Sequence, residues 1–416
     1  MRIYISGIEG TGMGPLALMA KAAGFTVFGS DKLEGAIHEE LIENGIEVFL
    51  GEQDGEFLKE KLVGGVDWFC YTSALPEDHS ELVLARKAGV AKITKRDDLT
   101  AFLVDKLGLK MVAVAGTHGK TTTTAMIVWA SLKLGLPVSY IVGTTLGFGP
   151  SWSYKKVDKY YIYESDEYDR NFLKYHPWIA VISAVSYDHT DIYPTKEDYR
   201  RAFLQFEKQS EQVIKQGLDE KCFRLAGEVR RRDAGLAAMV IEEILRAENA
   251  EVSAYDFPEK QRLIQILDQF PGVGRRFERI ADGVYTDYAH HPEEIVATMD
   301  IALDEAKILG RKGVIMVYQP HQNVRQHEVF EDYKEAFLGA EKIFWLPTYL
   351  TREDPELAVI SPEEFIAGLA NREKAEVAKL NSDLVKKLKQ YVSEGYLVVL
   401  MTAGPADRWM RNGFGM

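Results

Sequence analysis

The chain has 416 residues, a length that suits two or three domains. Its 63 acidic and 50 basic residues leave a formal net charge of −13, which excludes general binding to nucleic acid or an anionic membrane surface. Local Lys and Arg can still build a site for a small anion. The 46% apolar and 27% charged shares are those of a folded globular protein, and two distant cysteines, Cys70 and Cys222, exclude a disulfide scaffold and a Cys-based zinc site. No run approaches about 18 consecutive apolar residues, so no membrane span is expected. Residues 1–7 enter a strand without an apolar leader, which points to a cytoplasmic protein.

In chain order, apolar stretches at residues 2–6, 26–29, 47–50, 68–72 and 91–94 predict strands, with helical spacing over 14–23 and 38–44 between them. Such alternation predicts a parallel, doubly wound sheet. A second block opens with a strand at 111–115 and a helix running to Leu134. It adds strands at 160–164 and 179–184 and turns helical over 234–246. A third block has strands at 284–287, 314–318, 342–346 and 397–401, with Pro and Gly marking the joints. The expected organisation is α/β, with domains at 1–107, 108–280 and 281–416.

The candidate sites follow strands. Gly7, Gly10, Gly12 and Gly14 lie between the first strand and its helix. Glycines allow a tight turn and close approach to a phosphate, and the helix N-terminus supplies amides. Ser30-Asp31 ends the second strand, where an acid can bond a ribose hydroxyl. A plain nicotinamide-dependent oxidoreductase would rest on this loop alone. It would leave unexplained the segment Gly116-Thr117-His118-Gly119-Lys120-Thr121-Thr122, which follows one strand and opens a helix. That segment is a phosphate cradle, with loop amides for phosphate oxygens, the Lys120 charge, and a Thr121 hydroxyl suited to Mg²⁺. The general motif has Gly where Val114 stands, so the loop is a shorter variant.

Acidic clusters at 164–169 and 186–191 also follow strands, and Glu164 and His189 are candidates to serve a metal. Arg275-Arg276 stands at the joint of the second and third blocks. Asp287, His290-His291, His321 and Arg325 follow third-block strands, and an Arg fork there suits a carboxylate or phosphate.

These motifs, in this order and over nearly the whole chain, resemble those of the Mur ligases of peptidoglycan precursor synthesis. The loop G-T-H-G-K-T-T-T-T, the runs at 164–173 and 272–277, Asp188-His189 with Asp191, Asp287 to Pro292, and Gln319-Pro320-His321 with Arg325 carry the likeness. The resemblance implies a three-domain Mur ligase architecture: a Rossmann-like N-terminal domain, a P-loop central ATPase domain and a Rossmann-like C-terminal domain. It implies ATP and Mg²⁺ as cofactors, with UDP-N-acetylmuramate and an amino acid, L-alanine, as the molecules joined.

By position it implies that Gly116, Thr117, His118, Gly119, Lys120, Thr121, Thr122, Arg276 and Asp287 hold the nucleotide. Thr121, Glu164 and His189 would serve Mg²⁺, with Lys120, Glu164 and His189 catalytic. Gly7, Gly10, Gly12, Met13, Ser30, Asp31, Ser73, His290, His321 and Arg325 would bind the substrates. A tripeptide-recycling ligase and a nucleotide-binding relative without ligase activity are the alternatives.

The chain departs from the family pattern in four places. Residues 206–270 are a few tens shorter than in the family, so the antiparallel sheet that decorates its middle domain is expected to be missing. The family's H-N-x-x-N near the adenine falls on Val229, Arg230 and Asp233. Gln322 replaces one Arg beside Arg325, and Thr144-Thr145 replaces a Gly pair.

Overall fold

The computed structural model describes residues 1–72, 74–187, 192–248, 257–351 and 353–415. Among these residues lie three sheets. The first comprises β1 (Arg2–Ser6), β2 (Thr26–Asp31), β3 (Glu47–Leu50), β4 (Trp68–Tyr71) and β5 (Lys92–Lys95), in the order β3-β2-β1-β4-β5 and parallel throughout. The second comprises β6 (Lys110–Ala115), β7 (Val138–Ile141), β8 (Trp152–Ser153), β9 (Tyr160–Glu164), β10 (Ile179–Ile182) and β11 (Gln212–Ile214), in the order β11-β10-β6-β9-β7-β8. The third comprises β12 (Glu278–Ala281), β13 (Val284–Asp287), β14 (Val314–Gln319), β15 (Lys342–Trp345), β16 (Ala375–Val377) and β17 (Leu397–Thr402), in the order β12-β13-β17-β14-β15-β16. Among the described strands only β8 and β12 run antiparallel to their neighbours.

Parallel strands need a crossover, and helices supply it, covering both sheet faces. That is why the central strands are apolar on both sides: β4, β10, β14 and β17 are buried along their whole length. Side chains of β1, β6 and β9 and of the helices Met13–Ala22, Arg96–Lys106 and Lys196–Lys208 share one apolar cluster, so the first two sheets are packed through a common core.

Contacts group residues 1–217 and 236–267 into one compact unit, and residues 218–235 and 268–416 into a second. Between Phe206 and Phe270 the described residues form only β11, the short turn Glu220–Cys222 and two helices, Glu228–Glu248 and Phe257–Asp268. No decorating antiparallel sheet occurs among them. No helix of the described residues is long and apolar enough to cross a membrane.

Candidate functional site

The second sheet places a loop at the carboxyl end of β6, where open α/β sheets bind ligands. Amides on either side tie that strand end to its neighbours: Ser165 N–H donates to the Val114 carbonyl at 2.9 Å, and Ser183 N–H to the Ala115 carbonyl at 2.9 Å. Gly116 then turns with φ +143°, and a Cβ there would lie 2.4 Å from Ser183 Oγ. Thr117 is held from three sides. Its N–H donates to the Ala184 carbonyl at 2.6 Å, its hydroxyl donates to the Ser186 carbonyl at 2.7 Å, and Tyr199 OH lies 2.8 Å away. Ser183 Oγ donates to the His118 carbonyl at 2.6 Å.

Gly119, at φ +84°, opens the helix Lys120–Leu134. That helix has neither a side-chain cap nor an acid in its first turn, so its first amides suit an anion. Lys120 Nζ lies 2.5 Å from the Gly116 carbonyl and 3.0 Å from the buried Glu167 carboxylate. The Thr121 hydroxyl donates to Glu164 Oε1 at 2.9 Å. Register brings this pair together, because Glu164 at the end of β9 lies opposite Val114 of β6. Thr122 is half-buried in the first turn. His189 lies outside the described residues.

At the first sheet, the N–H groups of Gly7 and Ile8 both donate to the Ser30 carbonyl, at 2.8 and 3.1 Å. Gly7 sits at φ +83°, with Thr72 Cγ2 2.6 Å from where a Cβ would stand. The Asp31 carboxylate accepts the amides of Glu9 at 3.0 Å and Lys32 at 2.7 Å. The Ser30 side chain points elsewhere. It is buried and donates to Glu81, a buried acid that also accepts from Tyr4 OH and Ser6 Oγ at 2.5 Å each. Gly10 is exposed, Gly12 is half-buried and Met13 is buried as the first residue of its helix. Ser73 lies outside the described residues.

In the second unit, Asp287 at the end of β13 accepts the amides of Phe277 at 2.6 Å and Ala289 at 2.7 Å. Burial raises its pKa, against the Arg276 charge and those two amides. Arg275 and Phe277 hold positive φ, 56° and 47°, in the turn that aims the Phe277 amide at Asp287. Tyr288 lies under both guanidiniums, 4.6 Å from Arg275 and 5.2 Å from Arg276.

His290 and His291 separate in role. His291 caps the helix Pro292–Ile308, whereas His290 Nδ1 lies 3.2 Å from Glu294. Burial works against ionisation of Glu294, yet His290 and Arg276 hold its carboxyl well below the usual range. The His290 and His321 rings stand 5.7 Å apart, and His321 is 5.7 Å from Tyr349. Arg325 sits half-buried on the short helix Asn323–Glu328, within electrostatic reach of Tyr318 and Tyr333.

Three family descriptions cover the chain: "Mur ligase family, catalytic domain" over residues 2–105, "Mur ligase middle domain" over 114–233, and "Mur ligase, glutamate ligase domain" over 275–404. A UDP-N-acetylmuramate–L-alanine ligase from Clostridium novyi is 30% identical, with 98% of this chain and 96% of its own length covered. The chain is a Mur ligase. The ligase of the same description from Clostridium acetobutylicum is 29% identical, with 98% and 95% covered. The fold is that of the UDP-N-acetylmuramate-alanine ligase from Thermotoga maritima, with TM-score 0.76, 22% identity, and 100% and 98% of the two chains covered.

Three residues of this Mur ligase escaped the sequence reading. Glu167 stands in the acidic run at 164–169 but drew no role, although it is the acid beside Lys120. Glu81 and Arg96 carried no motif, and only folding brings them under and beside the Gly7–Gly14 loop.

Proposed function

We propose that this Mur ligase activates the carboxylate of UDP-N-acetylmuramate with ATP and joins it to an amino acid, L-alanine, in peptidoglycan precursor synthesis in the cytoplasm. The sequence blocks 1–107, 108–280 and 281–416 are its sugar-nucleotide, ATP and amino-acid parts. A carboxylate oxygen attacks the γ-phosphorus, the bond to the β–γ bridging oxygen breaks, and ADP leaves. The amine then attacks the acyl carbon and phosphate departs.

The observation that carries this reading is the Gly116 to Thr121 loop, with Lys120 and the free helix end turned to one place. There the chain's work is positioning and charge neutralisation: loop amides hold phosphate oxygens, and Lys120 offsets charge on the transferring group. The Thr121 hydroxyl and Glu164 carboxylate are hard oxygen donors 2.9 Å apart, a set that suits Mg²⁺, which keeps waters and takes few protein ligands. When bound there, Mg²⁺ would supply charge compensation for the phosphates. The names borne by the curated relatives support alanine as the added amino acid.

Phosphate release measured against a panel of amino acids and UDP-sugars tests the reading. Turnover with L-alanine and UDP-N-acetylmuramate supports it. Turnover only with a peptide would make the protein a recycling ligase, and nucleotide binding without turnover would make it a binding protein.

Arg325→Ala is expected to raise the KM for the amino acid about tenfold or more while moving the KM for ATP by less than about twofold. Gln322 has replaced the neighbouring Arg, which leaves Arg325 as the cation for the amino acid's carboxylate. Equal effects on both KM values would remove Arg325 from that pocket.

Purine selectivity is expected to be loose. Telling adenine from guanine takes a group that both donates and accepts, such as a side-chain amide. Here Arg230 only donates, and the Asp233 side chain is buried. GTP is therefore expected to give a kcat/KM within about tenfold of ATP, about 1.4 kcal/mol. An ATP preference above about a hundredfold would place an intact adenine pocket elsewhere in the chain.

A further inference from the structure

Arg96 is the first residue of the helix that follows β5, and its guanidinium lies against the glycine turn that follows β1. A Cβ on Gly12 would come within 2.7 Å of Arg96 Nη1 and 3.4 Å of its Cδ. Gly12 is therefore the small residue that lets a planar cation lie on the turn. The turn itself is open, with Gly10 and Thr11 exposed.

The guanidinium is under-used. Its Nε is buried and finds no hydrogen-bond partner among the described residues. Its Nη2 is 3.4 Å from Asp97 Oδ1, a long contact to an oxygen that already accepts from Tyr175 OH at 2.7 Å and Tyr163 OH at 3.3 Å. The charged or titratable groups around Arg96 are Asp97 on its own helix and Tyr163, Asp166 and Tyr175 from the second sheet's side. Asp98, next along the helix, is engaged by Lys174, and Lys95 by Asp169 at 2.5 Å. The side chain as a whole is one-third exposed, so it stands at the wall of an opening rather than inside a core.

Topology says what that opening is. In the order β3-β2-β1-β4-β5, the chain leaves β1 toward β2 on one side and reaches β4 on the other. The crevice beyond the carboxyl ends of β1 and β4 is the switch point, where such sheets bind nucleotides. The glycine turn forms one wall of this crevice and Arg96 stands beside it.

We propose that Arg96 binds the diphosphate of the sugar nucleotide at the Gly12 turn. The inference rests on the sugar-nucleotide reading given under Proposed function. A guanidinium presents its donors as a rigid fork that fits phosphate oxygens, and here Nη1 lies against the Gly12 turn while Nη2 makes only the long contact to Asp97. The first turn of the helix Met13–Ala22 contains no acid that would repel the anion. Asp166 is in the same electrostatic neighbourhood and follows β9 beside Glu164 and Glu167. One cation thus stands between the sugar-nucleotide crevice and the acidic run that flanks the phosphate loop.

The test is calorimetric titration of the full chain and of its Arg96→Gln and Arg96→Lys variants with UDP, uridine and UDP-N-acetylmuramate, with a non-hydrolysable ATP analogue as a control on the other site. Arg96→Gln is expected to weaken UDP by about tenfold or more, and uridine and the ATP analogue by less than about twofold. Arg96→Lys is expected to fall between the wild type and Arg96→Gln for UDP, because it keeps the charge and loses the fork. If Arg96→Gln fails to fold, Arg96→Lys alone decides by the same UDP-to-uridine ratio. Parallel losses on UDP and uridine, or no loss on UDP, would overturn the assignment. A loss confined to UDP-N-acetylmuramate would overturn it too, by moving Arg96 to the substrate's carboxylate. Failure of the wild type to bind either UDP or UDP-N-acetylmuramate would instead bring down the sugar-nucleotide reading itself.

Discussion

Lys120→Ala is expected to slow ligation by about a hundred- to a thousandfold, because one preorganised charge on the transferring phosphoryl group is lost. The structure adds a second expectation. Glu167 is fully buried, and Lys120 Nζ stands 3.0 Å from its carboxylate. Deleting the ammonium removes a cation from beside a buried acid, which lowers stability. Ligation rate and denaturant midpoint are therefore both expected to fall. The double variant Lys120→Ala/Glu167→Gln separates the two effects: its midpoint should recover most of the loss while its rate stays low. A single variant retaining more than about a tenth of the activity would remove Lys120 from the phosphate site, since that is under about 1.4 kcal/mol of transition-state stabilisation. A midpoint equal to wild type would show that the buried pair adds nothing to the fold.

Glu81→Ala, in the helix Ser80–Lys87, is expected to destabilise the first sheet's surroundings strongly. The carboxylate accepts from Tyr4, Ser6 and Ser30, with Gln53 Nε2 3.3 Å away, and all five side chains are buried. Burial and the neighbouring acid push the Tyr4 phenol far above its ordinary pKa, so it remains a donor. Removing the shared acceptor strands several donors at about 1–3 kcal/mol each, and since such costs do not add in full, a total near 4 kcal/mol is expected. Ser6 and Ser30 close β1 and β2 directly beneath the glycine turn, so UDP binding should weaken as well. Chemical denaturation followed by tryptophan fluorescence gives the first effect, and UDP titration the second. If Ser6→Ala and Ser30→Ala are added to Glu81→Leu, the loss should shrink, because the donors go with the acceptor. A Glu81→Ala variant within about 1 kcal/mol of wild type would mean that water replaces the acid.

The fold was legible where pattern and motif agree. Strong apolar runs announced β1, β6, β9, β13, β14 and β17 within a residue or two of their ends, and all but β9 have Gly close by. Short or polar strands were missed. β8 has two residues, and β11, β12 and β16 carry polar or charged residues with little alternation; β7 is fully buried but only four residues long, directly after Pro137. The strand expected over 179–184 stops at Ile182, and beyond it Ser183 Oγ and the Ala184 carbonyl bond His118 and Thr117 of the loop.

The site shows the same division. Lys120 and Thr121 were readable from a local loop, and Glu164 from its place at a strand end. The partner of Lys120 was not readable, because Glu167 lies 47 residues away and several acids beside it compete for the role. Ser30 looked like a ligand contact by its position, but its hydroxyl is committed to Glu81, 51 residues on. Sequence spacing carries a contact only when one element holds both partners.

The six strands at the margins of the sheets, β3, β5, β8, β11, β12 and β16, are two to four residues long, whereas central strands reach six. Four of them also carry charge, through Glu47, Lys92, Lys95, Glu278, Arg279 and Glu376. An open margin with a long row of unpaired amides and carbonyls would template the backbone of another chain. Short, charged margins give such a chain little to pair with, and a polypeptide built around three separate sheets has six places where that protection is needed. Aggregation by edge pairing is thus opposed at every sheet border among the described residues.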